Sequence, residues 1–162
     1  MKKYFAIIVL VLGCISMNAQ SNAKNEALKA ANDIVYDLAH GKLEKFHWLT
    51  VEEVPRLFQN KSERNLEGWR EVFENPNKMI LPELQDVRKE GTSKGVDWND
   101  VKVTDILYES YYDDDFGADE VKGYILIKSR GKLFNIFFKR GFLLNGEWRC
   151  LELRRIDVGN PE

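Results

Sequence analysis

KLFNIFFKRGFLLNGEWRCLELRRI, residues 132–156, holds two apolar-rich runs on either side of Asn145-Gly146. Asn-Gly adopts positive φ at both central positions of a tight turn at little cost, so between two such runs it is the strongest short hairpin signal. Lys132–Leu144 and Trp148–Ile156 are therefore read as antiparallel neighbours. Towards the N-terminus, Arg130-Gly131 joins the first of them to Glu120–Ser129. Before that, Asp100–Tyr112 is rich in Val, Thr, Ile and Tyr. Its apolar positions change phase between Val103 and Ile106, as a β-bulge requires. The end of the chain thus predicts a meander of about four antiparallel strands, closed by Gly159-Asn160-Pro161.

Ahead of Asp100 the period changes. Ala27, Leu28, Ala31, Ile34, Val35 and Leu38 form one stripe of an amphipathic helix over residues 22–40, and Gly41 is placed to end it. Leu43, Phe46 and Leu49 predict a short second helix over residues 42–49. Thr50-x-x-Glu53 has the form of a capping box, and Pro55 keeps any helix through Phe58 short. Ser62 suits the N-cap of a helix to Glu74, with Leu66, Trp69, Val72 and Phe73 inward and Asn75-Pro76 as its stop. A last turn or two is expected over Pro82–Lys89, and Gly91–Gly95 is read as a loop. Helices followed by a meander define an α+β domain, with N-terminal helices packed on one face of a curved antiparallel sheet.

The helices, the long bulged strands and the ending Asn145-Gly146-Glu147-Trp148-Arg149-Cys150-Leu151-Glu152-Leu153 together resemble the cone-shaped NTF2-like superfamily (SnoaL-like, cystatin-type). The resemblance spans residues 22–157 and rests on architecture and one turn pattern. It implies a curved sheet around a cavity that serves as a ligand pocket, a dimer surface or, in some members, an active site. The helical matter between Thr50 and Lys89 exceeds the shortest versions of that fold. No catalytic residues carry over.

The first residues are an address. Met1-Lys2-Lys3 is followed by an almost wholly apolar run from Tyr4 to Leu12 and then by small and polar residues to Ala19-Gln20. A basic start, a short apolar run and small residues make a secretory signal peptide. The run is too short for a spanning helix, which needs about 20 apolar residues. Residues 1–19 are read as the signal and 20–162 as one domain, exported to the periplasm or secreted. Val11-Leu12-Gly13-Cys14 also resembles a lipobox, which leaves lipidation of Cys14 and a lipid-anchored scaffold as the alternative to soluble release.

Hydrophobic residues at 44% and charged residues at 31% are ordinary for a globular chain. Without Lys2 and Lys3, the remainder carries 22 basic against 26 acidic residues, which argues against nucleic acid as a partner. The basic residues Lys139, Arg140, Arg149, Arg154 and Arg155 alternate with Glu147, Glu152 and Asp157, and so predict a salt-bridged outer sheet face. Cys150 is the single Cys after Cys14, so no internal disulfide forms in the processed chain; between Trp148 and Leu151 it is expected in the core.

Three sets of residues are candidates for chemistry. Trp48, Trp69 and Trp98, with Phe46, His47 and Phe73 near them, suit a flat or sugar-like ligand, although large rings more often make the core. Asp113, Asp115 and Asp119 are oxygen ligands of the kind calcium takes, but their spacing misses the EF-hand pattern and fits a solvated hairpin tip. His47 is a general base only with a carboxylate partner, and the sequence identifies none. Glycine-rich phosphate loops, zinc signatures and nucleophile elbows are absent, and no cofactor is expected. The expected function is an exported binding or interaction module of the bacterial envelope, not an enzyme. Its expected partner is a small ligand, a protein or a second copy of the chain. A hydrolase or isomerase with its site in the sheet cavity is the enzymatic alternative.

Overall fold

In a computed structural model of the protein, residues 23–50, 52, 53, 74, 76–114, 118–144 and 146–161 are described, with Pro76, Asn77, Met79, Cys150 and Leu151 by backbone alone. The expected signal, Cys14, Trp69, Asp115, the Pro55 segment and all of the Ser62–Glu74 helix but its last residue therefore lie outside the description. Residues 23–40 form helix α1 and Pro76–Ser93 helix α2. Strands β1 (Val101–Asp113), β2 (Ala118–Ser129), β3 (Lys132–Leu144) and β4 (Glu147–Val158) follow in chain order. They pair antiparallel in the order β1-β2-β3-β4, an open sheet with β1 and β4 at its edges. The fold is α+β, as the sequence predicts.

The register explains the core. Ile106, Ile125, Ile136 and Ile156 stand side by side across the sheet and are all buried. They share one cluster with Ala27, Ala31, Ile34 and Leu38 of α1 and with Ile80, Leu84 and Val87 of α2. Both helices thus present stripes at spacings of three and four residues to the same sheet face. Phe134, Phe138, Trp148 and Leu153 of the sheet belong to the same cluster. Among the described residues this cluster packs the sheet face against both helices.

The turns follow the sequence closely. Arg130 and Gly131 both take positive φ, at 47° and 79°, as a two-residue hairpin of the I′ kind needs. The expected bulge in β1 falls between Val103 and Asp105. Further register shifts lie between Val121 and Gly123 and at three points along the β3–β4 pair. Such shifts bend and twist a sheet.

Three expectations are corrected. Residues 42–49 are not helical. The Asp37 carboxylate accepts the backbone N–H groups of Glu44, Lys45 and Phe46 at 3.0, 2.8 and 3.2 Å, which takes from the backbone the donors a helix would use. Second, the helix expected over Pro82–Lys89 is longer: α2 spans Pro76–Ser93 and carries Pro82 within it on its exposed side, while the expected stop at Asn75 lies outside the described residues. Third, α2 runs through Gly91 to Ser93 instead of ending in a loop. A Cβ on Gly91 would lie 2.5 Å from Trp98 Cζ2, so the glycine is present for close packing. Both helices end alike, with Gly41 and Gly95 at positive φ and Lys42 N–H and Val96 N–H donating to Asp37 O and Gly91 O at 3.2 and 2.9 Å. That is a Schellman motif at each end.

Candidate functional site

Where α1 meets the start of β4, a small cleft is lined by residues from three elements. Glu26, Lys29, Ala30 and Asp33 come from one face of α1; Lys45, Phe46 and His47 from the loop after it; Glu147, Trp148 and Arg149 from β4. Its volume is about 140 Å³, below the roughly 300–1,000 Å³ of drug-sized sites. It admits a small charged group, not a large cofactor.

Asp37 lies behind the cleft and shapes the loop that lines it. It is fully buried, and besides its three backbone donors it accepts the Trp48 indole N–H at 2.9 Å. These bonds hold the chain from Glu44 to Trp48 against α1 and so fix where Lys45 and His47 stand. The Phe46 and Trp48 rings meet edge to face at 5.0 Å inside the core.

Arg149, at the β4 end of the cleft, is held by bonds of its own. Only 5% of it is exposed. Its Nε donates to Glu53 Oε1 at 2.8 Å, one terminal nitrogen to Glu147 Oε2 at 2.8 Å and the other to Trp148 O at 3.0 Å. Glu53 Oε2 in turn accepts the Thr50 N–H at 3.0 Å, which is the reaching-back half of the capping box expected from Thr50-x-x-Glu53. Hydrogen bonding to Arg149 holds the Glu147 carboxyl below its usual range, and the charges of His47 and Lys29 add to that pull. Lys29, Lys45 and His47 thus share one recess with Glu26, Asp33 and Glu147, beside the backbone of Trp148 and Arg149. His47 is exposed and makes no hydrogen bond among the described residues, so nothing there orients its ring.

A second buried charge set lies on the sheet face away from α1 and α2. Tyr111, Glu120, Phe142 and Arg149 form one row across the strands. Glu120, 2% exposed, accepts the Tyr111 O–H at 2.5 Å and has Arg140 Nε 3.2 Å from its other oxygen, close enough for an ion pair but not aligned as a hydrogen bond. The bond to Glu120, together with burial, pushes the Tyr111 phenol up to about 12. Further along that face Tyr124 and Phe137 rings lie 5.2 Å apart, with the Arg155 guanidinium 4.9 Å above Phe137. The expected salt-bridged outer face is present. Lys139 pairs with Glu152 at 3.9 Å, Arg154 with Glu152, and Arg155 with Asp157 at 2.8 Å.

The aromatic candidates do not meet in one place. Trp48 is buried beside Asp37. Trp98 is buried at the end of α2, its indole N–H donating to Arg88 O at 3.1 Å and Thr92 Oγ1 at 3.0 Å. Trp69 lies outside the described residues. Asp113 and Asp119 stand at the β1–β2 turn, on adjacent register positions. Among the described residues no three His, Cys, Asp or Glu side chains gather as a metal site. No helix among those residues is long and apolar enough to cross a membrane. Sequence reading missed Asp37, Glu120, the burial of Arg149 and its bond to Glu53. For Asp37 a signal existed, because a carboxylate in the last turn of a helix faces the negative end of the dipole and needs a local reason to be there. For Glu120 and Arg149 none existed, since their burial depends on which chain covers the sheet.

The chain matches no protein-family model, no curated protein and no solved structure.

Proposed function

We propose that this chain is an exported binding module of the bacterial envelope, built as an NTF2-like α+β domain, whose small-ligand site is the cleft between α1 and β4. Its ligand is a small zwitterion, such as a free amino acid or a dipeptide. The observation that carries the reading is the juxtaposition of both charge signs in one small recess. Lys29 and Lys45 suit a carboxylate, while Glu26 and Asp33 suit an ammonium. The close-packed cluster on the helix-facing side of the sheet supports a surface site over an interior one. An enzyme using His47 against Glu147 is the competing use of the same cleft, and it requires an oriented ring.

Two measurements test the proposal. Glycylglycine titrated against the processed protein, followed by amide shifts, is expected to give saturable shifts at residues 45–47 and 147–149. Asp33→Ala with Lys45→Ala should weaken that binding about tenfold, the loss of about 1.4 kcal/mol. No saturable shift at millimolar dipeptide would remove the ligand reading. Mass spectrometry of the mature N-terminus tests export: a start near Gln20 agrees with soluble release, a diacylated Cys14 with an anchored scaffold, and an intact Met1 with neither.

A further inference from the structure

The two edges of the sheet are guarded differently. β4 lies against α2, and Arg154 and Arg155 stand along it. On β1, by contrast, every residue from Leu107 to Tyr112 is exposed, Tyr112 by 62%. Alternate residues of an edge strand turn their N–H and C=O away from the sheet, and natural edges blunt this template with bulges, Pro or Lys. The β1 bulge lies upstream, between Val103 and Asp105, so Ile106–Asp113 keeps unbroken register with β2. Residues 107–114 contain no Pro, Lys or Arg, but do contain Glu109, Asp113 and Asp114. Among the described residues no backbone hydrogen bond joins 107–112 to anything but β2.

The side chains of this edge alternate in chemistry as well as in direction. Tyr108 packs edge-on against Trp148 at 4.8 Å, which puts Tyr108, Ser110 and Tyr112 on the helix-facing side. Leu107, Glu109, Tyr111 and Asp113 fall on the other side, where Lys122 reaches Glu109 at 3.4 Å. One side of the edge therefore carries two tyrosines, and the other carries two carboxylates alternating with Leu107 and Tyr111.

We propose that residues 107–113 of β1 accept an extended cationic segment of a partner protein as an added strand. Lys or Arg at alternate positions would meet Glu109 and Asp113, and the apolar residues between them would pack on Tyr108 and Tyr112. Main-chain bonds supply affinity in such strand addition and the alternate side chains supply selectivity. Charge complementarity selects this occupant over a second copy of the chain. Pairing β1 with β1 would bring Glu109, Asp113 and Asp114 of both copies along one seam, and like charges facing each other across strands destabilise pairing. This edge is distinct from the α1–β4 cleft, so its test is independent of the dipeptide titration.

A fluorescently labelled heptapeptide of alternating Lys and Val is titrated into the processed protein, with anisotropy for affinity and amide hydrogen exchange for location. The expected result is saturable binding that slows exchange within residues 107–112. Glu109→Lys with Tyr112→Lys, both at exposed positions, should weaken it at least about tenfold with an unchanged melting temperature. A peptide of equal charge with Pro in place of Val lacks half of the N–H donors and should not bind. Equal binding of the Pro peptide, or binding without protection of 107–112, would overturn the proposal by reducing the contact to charge alone. Failure of the Lys–Val peptide to bind would overturn it too. So would a dimer in sedimentation that Tyr112→Lys dissolves, because the edge would then belong to a second copy.

Discussion

A carboxylate taken out of water needs hydrogen bonds in place of the solvent it loses. Asp37 gains four, from three backbone N–H groups and the Trp48 indole, and with them it turns the chain back along α1. The bonds to the Phe46 N–H and the indole are buried. Each buried donor left without an acceptor costs about 1–3 kcal/mol. Asp37→Ala is therefore expected to destabilise the fold by about 2–6 kcal/mol in urea unfolding. Asp37→Asn keeps one oxygen and should fall between Ala and the parent, since its amide nitrogen faces donors. A cost below that of an exposed surface substitution for both variants would show that other groups hold residues 44–48. The residue types of this segment were readable in the sequence; the partnership across seven to eleven positions was not, because local periodicity favoured a helix there.

At the scale of elements, the turns were legible and the helix ends less so. Arg130-Gly131 took the positive φ pair that a tight hairpin demands, and the strands it joins begin and end within a few residues of expectation. Turn chemistry is local, so sequence suffices for it. Gly91 shows the opposite case. Glycine near a helix end reads as a stop, yet here it lies inside α2 because the Trp98 ring occupies the space of a side chain. Gly91→Ala should gain up to about 1 kcal/mol in helix propensity. The Cβ 2.5 Å from Trp98 Cζ2 would cost more than that, about 1–3 kcal/mol for overpacking. Net destabilisation in chemical unfolding is expected, relieved in part when Trp98→Leu is combined with it. Additive losses in the double variant would mean that the two residues do not share the space.

For the whole molecule, paired charges set how stability varies with pH. Asp97, Glu147 and Asp157 all ionise below their usual ranges. Asp97 accepts the Asn99 N–H and then Arg130; Glu147 is held by Arg149; Asp157 is held by Lys94 and then Arg155. Carboxyls shifted this way stabilise the fold above their ordinary values of 3.8 and 4.5, and that contribution disappears as pH falls through the lower folded values. Tyr111 behaves in the opposite sense. Raised from 10.0 to about 12, it stabilises the fold below pH 10 and loses that contribution as pH rises through 12. Melting temperature against pH should therefore show a plateau through neutrality and a fall at each end. Tyr111→Phe should leave the acid limb in place, soften the alkaline one and remove the latest tyrosinate absorbance step. The steps are small where the side chains meet water, which screens them. An alkaline limb unchanged by Tyr111→Phe would sever Tyr111 from Glu120.

Pattern and turn chemistry alone determined that helices come first, that a four-stranded antiparallel meander follows, and which stripe of the first helix faces the core. Those features arise from interactions between near neighbours, and near neighbours are written consecutively. Tertiary structure alone decided that Asp37 anchors a loop, that Arg149 and Glu120 are buried, that Trp48 and Trp98 stand apart, and that β1 is the open edge. Each of these depends on which distant segment excludes water from a side chain, and the order of residues does not record that.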